Sequence, residues 1–278
     1  MTVEERPRTA RAAGSDLERP APAWLVVAGG ECREMWVGGR GPVLVFGFSL
    51  LLSVVTYLLA TNKVLNYLEQ REAVNLALQV AVSVGVLLTI VVGADAISGE
   101  RERGTLETLL LTPPSRRQLA VGKLVAALSL WLAAFVVSLP YVWVLGRSTS
   151  VVGPAVLLGG VVGTVLAIGL AGLGVIVSGL SSSNRVSLSV SLFVLLALFA
   201  PTQLPAGARQ GWLGDLLVRL NPVASGLHYV GAVLVDGHRW TRDLSYLVSP
   251  AVTALLAVTV LLAGADRLLR LQRGGSVG

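Results

Sequence analysis

The sequence predicts an all-α membrane protein with six transmembrane helices, and three observations carry that prediction. Hydrophobic residues make up 54% of the 278-residue chain and charged residues only 14%, where an average soluble domain carries roughly 25% charge. The charges are also segregated. Residues 41–62, 73–94, 124–146, 148–184, 186–208 and 244–265 contain none, and together these stretches exceed half the chain. Each is continuously apolar and long enough for a helix that crosses roughly 30 Å of hydrocarbon with about 20 residues. Strands of a membrane barrel would alternate and be about half as long. A water-soluble enzyme, a nucleic-acid-binding domain and a disordered tail are excluded by the same pattern. The net charge of +6 reads as membrane topology, not as a polyanion-binding surface.

Taken in chain order, residues 1–22 are rich in Arg, Pro and Ala and read as a disordered cytoplasmic lead. The apolar run that follows, Trp24 to Ala28, is too short for the core of a secretory signal, so the first span is expected to act as an uncleaved anchor. Residues 24–40 mix apolar and charged side chains. This pattern suits a helix in the membrane interface, with Trp24 and Trp36 at headgroup depth and Glu31, Arg33 and Glu34 turned to water. A single transmembrane domain is expected over 23–265, followed by a cytoplasmic tail, 266–278.

The first span, about 41–62, holds twelve Val, Leu and Phe residues, each favouring insertion by roughly 0.3 to 0.6 kcal/mol. The second is placed at about 74–97 and the third at 120–145, where Pro140 predicts a kink tolerated among neighbouring helices. In the fourth, trimmed to about 154–180, Gly159, Gly163, Ala167 and Ala171 recur at spacing four and form a smooth stripe for close helix packing. The fifth covers about 185–203 and the sixth 244–265. Between them, the outer loop 204–243 contains an uncharged run, Leu220 to Val235, too short to cross. Pro222, Gly226 and Gly231 suggest short helices there that dip into the outer leaflet and return; a surface helix resting on the bundle is the plainer alternative.

Six spans place both termini on one side. Assigning that side to the termini and the 2–3 and 4–5 loops collects fifteen of the 22 Lys and Arg residues, which predicts that both termini are cytoplasmic. The single cysteine, Cys32, rules out an intrachain disulfide, and no metal framework is visible.

The most informative segment lies between spans 2 and 3. Thr105 can cap a short helix whose Leu106, Leu109 and Leu110 form an apolar face, with Glu107 on the same helix. Pro113 and Pro114 end it, and Ser115 with Gln118 forms a capping box that opens span 3. A charged, amphipathic helix held between two spans could serve as a lever for a soluble partner, or as a solvated loop that only satisfies topology.

The run from Gly99 to Lys123 resembles the signature of ABC-2 type transporter permeases. The matching residues are Gly99-Glu100, Gly104-Thr105-Leu106-Glu107, Pro113-Pro114-Ser115-Arg116 and Gly122-Lys123. Within that family the chain is most similar to the subgroup that includes the nitrous-oxide-reductase maturation permease and related multidrug or lipid exporters. The resemblance implies a coupling segment at 99–114 that docks in a groove of a separate cytosolic ATPase. Gly99, Glu100, Arg101, Arg103, Gly104, Thr105, Leu106, Glu107, Leu109, Leu110, Pro113 and Arg116 would carry that coupling. It also implies a dimer with a second copy or a paralogue, and export of a lipid, drug or other hydrophobic or amphipathic substrate across the cell membrane of a prokaryote. The chain itself is expected to bind no cofactor and to contact membrane lipid but no nucleic acid. ATP and Mg would sit on the partner, because the only Gly-Lys pair lacks the preceding Gly and following Ser or Thr of a Walker A loop.

Three other readings compete. An intramembrane hydrolase would need a Ser/His pair, a His-Glu-x-x-His motif or paired carboxylates at membrane depth, and both histidines, His228 and His238, lie in the outer loop. A metal site from His228, Asp236 and His238 has irregular spacing. A non-transporting scaffold or an ion-coupled carrier lacks, in the latter case, the midplane carboxylates such coupling uses.

Overall fold

The computed structural model describes residues 23–61, 67–107, 111, 114–203 and 211–269. The lead 1–22, most of the tail, and Leu109, Leu110 and Pro113 lie outside these residues. Among the described residues there is no strand. In chain order the helices are α1 (Ala23–Val37), α2 (Arg40–Ala60), α3 (Tyr67–Asp95), α4 (Ser98–Arg103), α5 (Arg116–Gly146) and α6 (Val152–Leu180). They are followed by α7 (Asn184–Phe199), α8 (Trp212–Leu220), α9 (Pro222–Leu234) and α10 (Val248–Leu268). Short 3-10 turns at Ala200–Gln203 and Leu244–Leu247 extend α7 and precede α10. Among the described residues six helices are long and apolar enough to cross a membrane: α2, α3, α5, α6, α7 and α10. The fold class is therefore an all-α, multi-pass membrane protein.

Helix α6 is the hub, packed against α3, α5, α7, α9 and α10. Its glycine- and alanine-rich face explains why. Gly159 lies under Leu78 and Gly163 under the indole of Trp131, while Ala167 and Ala171 are fully buried. The tightest crossing is a little further on. A Cβ on Gly93 of α3 would lie 2.7 Å from the Ala171 carbonyl oxygen, and one on Gly174 would lie 2.6 Å from that of Ile90. The two backbones touch, an approach that small residues permit and that lipid cannot supply. Trp131 fills the space beside Gly163, donates its indole N–H to Thr164 Oγ1 at 3.0 Å, and stacks on Phe135.

The remaining long helices expose apolar side chains outward, among them Phe46 of α2, Phe193 of α7 and Leu255 of α10. An outward apolar surface of this kind suits lipid or another apolar helix, not water. Pro140 lies inside α5, which runs unbroken from Arg116 to Gly146, and the Ser115–Gln118 capping box opens that helix.

Helix α1 ends at Gly38 and Gly39, the latter at φ +83°, before α2 begins. At the other end of the bundle, Asn221 accepts hydrogen bonds from Val223 N (3.0 Å) and Ala224 N (2.9 Å), and Pro222 starts α9. Helix α9 is buried among α3, α6 and α10, so it is not a surface helix resting on the bundle. Its two neighbouring histidines turn to different partners. His238 Nδ1 lies 2.7 Å from Asp243, and the His228 ring packs against that of Tyr246 at a tilt of 49°. No group of side chains among the described residues could hold a metal ion.

Candidate functional site

The ends of α3, α6 and α10 and the starts of α2, α5 and α7 meet at one end of the bundle, and α4 lies among them. Three polar clusters hold it there, and each follows from a local feature of the sequence.

The first is a buried ion triad. Gly122 of α5 lets α1 approach, since a Cβ there would lie 2.5 Å from Val27. The next residue, Lys123, thereby reaches Glu31 of α1 at 2.9 Å and also bonds Glu100 of α4. The Lys123 side chain is only 1% exposed, against 19% for Glu31 and 13% for Glu100. Two carboxylates share one ammonium, which leaves one net negative charge in a site of low dielectric. Burial pushes the Glu100 carboxyl above its ordinary value, with the Lys123 charge and hydrogen bond pulling the other way. Glu100 Oε2 is buried without a hydrogen-bond partner.

The second cluster centres on Asp95, the last residue of α3. Its carboxylate receives Arg40 Nη1 from α2 at 3.0 Å and Asn184 Nδ2 from α7 at 2.7 Å, with Arg103 of α4 3.6 Å away. Gly99 lies directly beneath this carboxylate, where a Cβ would collide with it. The Gly99→Ala variant is therefore expected to push Asp95 away from Arg40 and Asn184 at a cost of about 1–3 kcal/mol. Thermal unfolding of the purified variant measures this loss, and an unchanged melting temperature would refute the steric account.

The third cluster joins α4 to α6 and α7. Ser178 Oγ accepts the backbone N–H groups of Ile97 (2.9 Å) and Ser98 (2.8 Å), two of the donors that a helix start leaves unpaired. Arg101 donates to the carbonyls of Ser181 and Gly179, covering the end of α6 with positive charge. Glu102 accepts from the backbone N–H of Asn184 at 2.7 Å, at the positive end of α7. Gly104 then ends α4 in the left-handed conformation, φ +71°.

The structure thus divides the residues that the sequence groups together. Gly99, Glu100, Arg101 and Leu106 point into the bundle; Leu106 is 2% exposed and sits with Ile97, Leu119, Leu124 and Leu268. Arg103 leans on Asp95, and Arg116 donates to the Asp266 carbonyl at 2.8 Å. Gly104, Thr105, Glu107 and Leu111 face outward, Leu111 being 87% exposed. Thr105 donates back to the Glu100 carbonyl through both its amide (3.1 Å) and its hydroxyl (3.3 Å).

Helix α1 differs from the expectation that its charges all face water. Arg33, Glu34 and Trp24 are exposed, but Glu31 turns inward to Lys123 and Trp36 donates to Ser129 Oγ of α5 at 3.1 Å. The ion pair compensates a carboxylate that the amphipathic pattern would have left in solvent. The motif took in Lys123 without giving it a role, and sequence reasoning missed Ser178 and Asn184 as parts of this site. A lysine that immediately precedes an uncharged run looks like a side chain reaching back to the interface, and only the adjacent Gly122 hints at the close helix crossing that buries it.

A protein-family model described as ABC-2 family transporter protein matches residues 44–267, most of the chain and some part of every long helix. No curated protein matches the chain.

Proposed function

Because the chain belongs to the ABC-2 transporter family, we propose that it is the membrane-spanning permease subunit of an ATP-driven exporter in a prokaryotic cell membrane. Both termini and α4 face the cytoplasm in this reading. A separate cytosolic subunit hydrolyses ATP and docks on the surface formed by Gly104, Thr105, Glu107 and Leu111. Helix α4 carries the resulting movement to the spans. A second copy or a paralogue completes the pathway, and the cargo is a lipid, a drug or another amphipathic molecule, as in the subgroup of maturation, multidrug and lipid exporters that the motif resembles.

The observation that supports this reading best is the contrast between α4, which is tied to the bundle, and the exposed residues that follow it. A loop that serves topology alone has no need for buried polar ties. Here α4 is bonded to α3, α5, α6 and α7, while the residues that follow it leave the Glu107 charge and the large apolar Leu111 side chain uncovered. Such an element is stiff toward the bundle and free toward a partner, which is what transmission of a docking movement requires.

A cysteine at Leu111, with Cys32 replaced by serine, tests the reading. A membrane-impermeant maleimide is expected to label it in inside-out vesicles and not in right-side-out ones, and the co-expressed ATP-binding subunit is expected to protect it. Labelling from the outside, or labelling indifferent to that subunit, would overturn the assignment.

A further inference from the structure

At the end of the bundle remote from the ion triad, α3, α7, α8 and α9 border a cavity of about 740 Å³, within the range of roughly 300–1,000 Å³ common for small-molecule sites. In the charge-free run 73–94 of α3 the only polar side chains are Asn75, Gln79, Ser83 and Thr89. A polar side chain in a membrane helix is ordinarily offset by a hydrogen bond to a neighbour, and Thr89 donates to the Val86 carbonyl at 2.7 Å. The other three recur at spacing four and all line the cavity, Gln79 roughly 24 Å along the helix from Asp95. None of the three makes a side-chain hydrogen bond with a described residue. Asn75 Oδ1 is closed off inside the protein, but Gln79 and Ser83 are half-buried and open to the cavity. Opposite them α9 presents Gly231, where a Cβ would lie 3.6 Å from Asn75 Nδ2 and 3.9 Å from Gln79 Nε2. Beside the polar line, Leu76, Val80 and Val84 form a parallel apolar one in the same wall.

The chemistry of an occupant follows from these two lines. Among the described residues that line the cavity there is no Lys or Arg, and its carboxylates, Glu72 and Asp236, are exposed. An anionic head would meet like charge at the mouth and no cation within. An ammonium would exchange water for neutral dipoles, at a cost those dipoles do not offset. A wholly apolar molecule would leave the amide and the hydroxyl without partners. The Gln79 amide offers N–H donors beside a carbonyl acceptor, and the neighbouring hydroxyls of a sugar, each donor and acceptor, match both. An alkyl chain suits the apolar line.

We propose that this cavity binds an amphiphile with an uncharged sugar head, whose hydroxyls meet Gln79 and Ser83 while its chain lies along Leu76, Val80 and Val84. The same head chemistry belongs to a glycolipid and to a free alkyl glycoside. As cargo, such a molecule rests on the exporter reading. Its binding is measured on this chain without ATP or the ATP-binding subunit, so the site and the coupling role stand or fall separately.

The test uses the full-length chain in phosphatidylcholine nanodiscs, titrated with radiolabelled decyl glucoside below the concentration that disrupts the discs and corrected for empty discs. One saturable site per chain is expected, with decyl sulfate and decylammonium failing to compete. Gln79→Leu should weaken binding roughly tenfold, the loss of a pair of neutral hydrogen bonds. Ser83→Ala should weaken it roughly threefold, the loss of a single one, and Gly231→Leu should obstruct the cavity. The melting temperature of Gln79→Leu should stay at or above that of the wild type, because the amide has no bond to a described residue to lose. In discs containing a glucosyl diacylglycerol, displacement of the probe assigns the site to a glycolipid, and full retention assigns it to a free glycoside. Absence of saturable binding, equal competition by the charged amphiphiles, or indifference to all three substitutions would overturn the proposal. So would a lower melting temperature for Gln79→Leu, or separation of paired copies by it, since the polar line would then be a structural or subunit contact.

Discussion

Replacing Lys123 by methionine is expected to cost about 3–5 kcal/mol, the penalty for removing one partner of a buried ion pair. Two carboxylates would be left facing each other, with Glu31 and Glu100 both largely buried. Helices α1 and α4 would lose their common tie to α5, and the protein should melt well below the wild type. The remedy identifies the cause. Combining Lys123→Met with Glu31→Gln and Glu100→Gln removes all three charges at nearly constant volume and should recover most of the loss. A triple variant as unstable as Lys123→Met would show that packing, not charge, is at stake.

The same triad gives a pH dependence of definite sign. Burial raises Glu100 above its ordinary carboxyl value, so in the window between the ordinary and the raised value the native state holds more protons than the unfolded chain. Stability is then full below the ordinary value and declines as pH rises through the window. Glu100→Gln should remove this slope, which unfolding curves at several pH values resolve.

The second large effect is expected at the crossing of α3 and α6. Gly174→Val would place side-chain atoms where the Ile90 carbonyl and the Gly93 backbone already lie. Neither backbone can yield without separating the two helices, and overpacking at one such point costs about 1–3 kcal/mol or more. Gly47→Val is the control, because nothing lies within 4 Å of a Cβ at that position in α2. The melting temperature should fall sharply for the first variant and stay near wild type for the second. Similar melting of both would contradict the close crossing.

These sites differ in how far the sequence discloses them. The six long helices were legible because insertion depends on a contiguous apolar run, a property of neighbouring residues. The capping box of Ser115 and Gln118 was legible for the same reason. The triad was not, since Lys123 meets a carboxylate 92 positions away and another 23 away, and no local pattern encodes such a meeting. The motif named Glu100 and Leu106 beside Glu107 without distinguishing them. Burial separates them: Glu100 and Leu106 hold the element in place, and replacing either would damage the bundle before it informed on a partner. Gly93, an isolated glycine in an apolar run, carried no sign that it opposes Gly174. The run of small residues at spacing four marked a packing face on α6 without marking its point of closest approach.

The contrast between the bonded α4 and the exposed residues that follow it is also what makes the central claim testable without harming the fold. Glu107→Lys with Leu111→Asp alters two exposed side chains and none of the buried contacts. Capture of the co-expressed ATP-binding subunit by the tagged chain, with melting temperature recorded on the same preparations, is the decisive measurement. The expected result is loss of the ATP-binding subunit at unchanged melting temperature; capture at the wild-type level by the doubly substituted chain would contradict the coupling role.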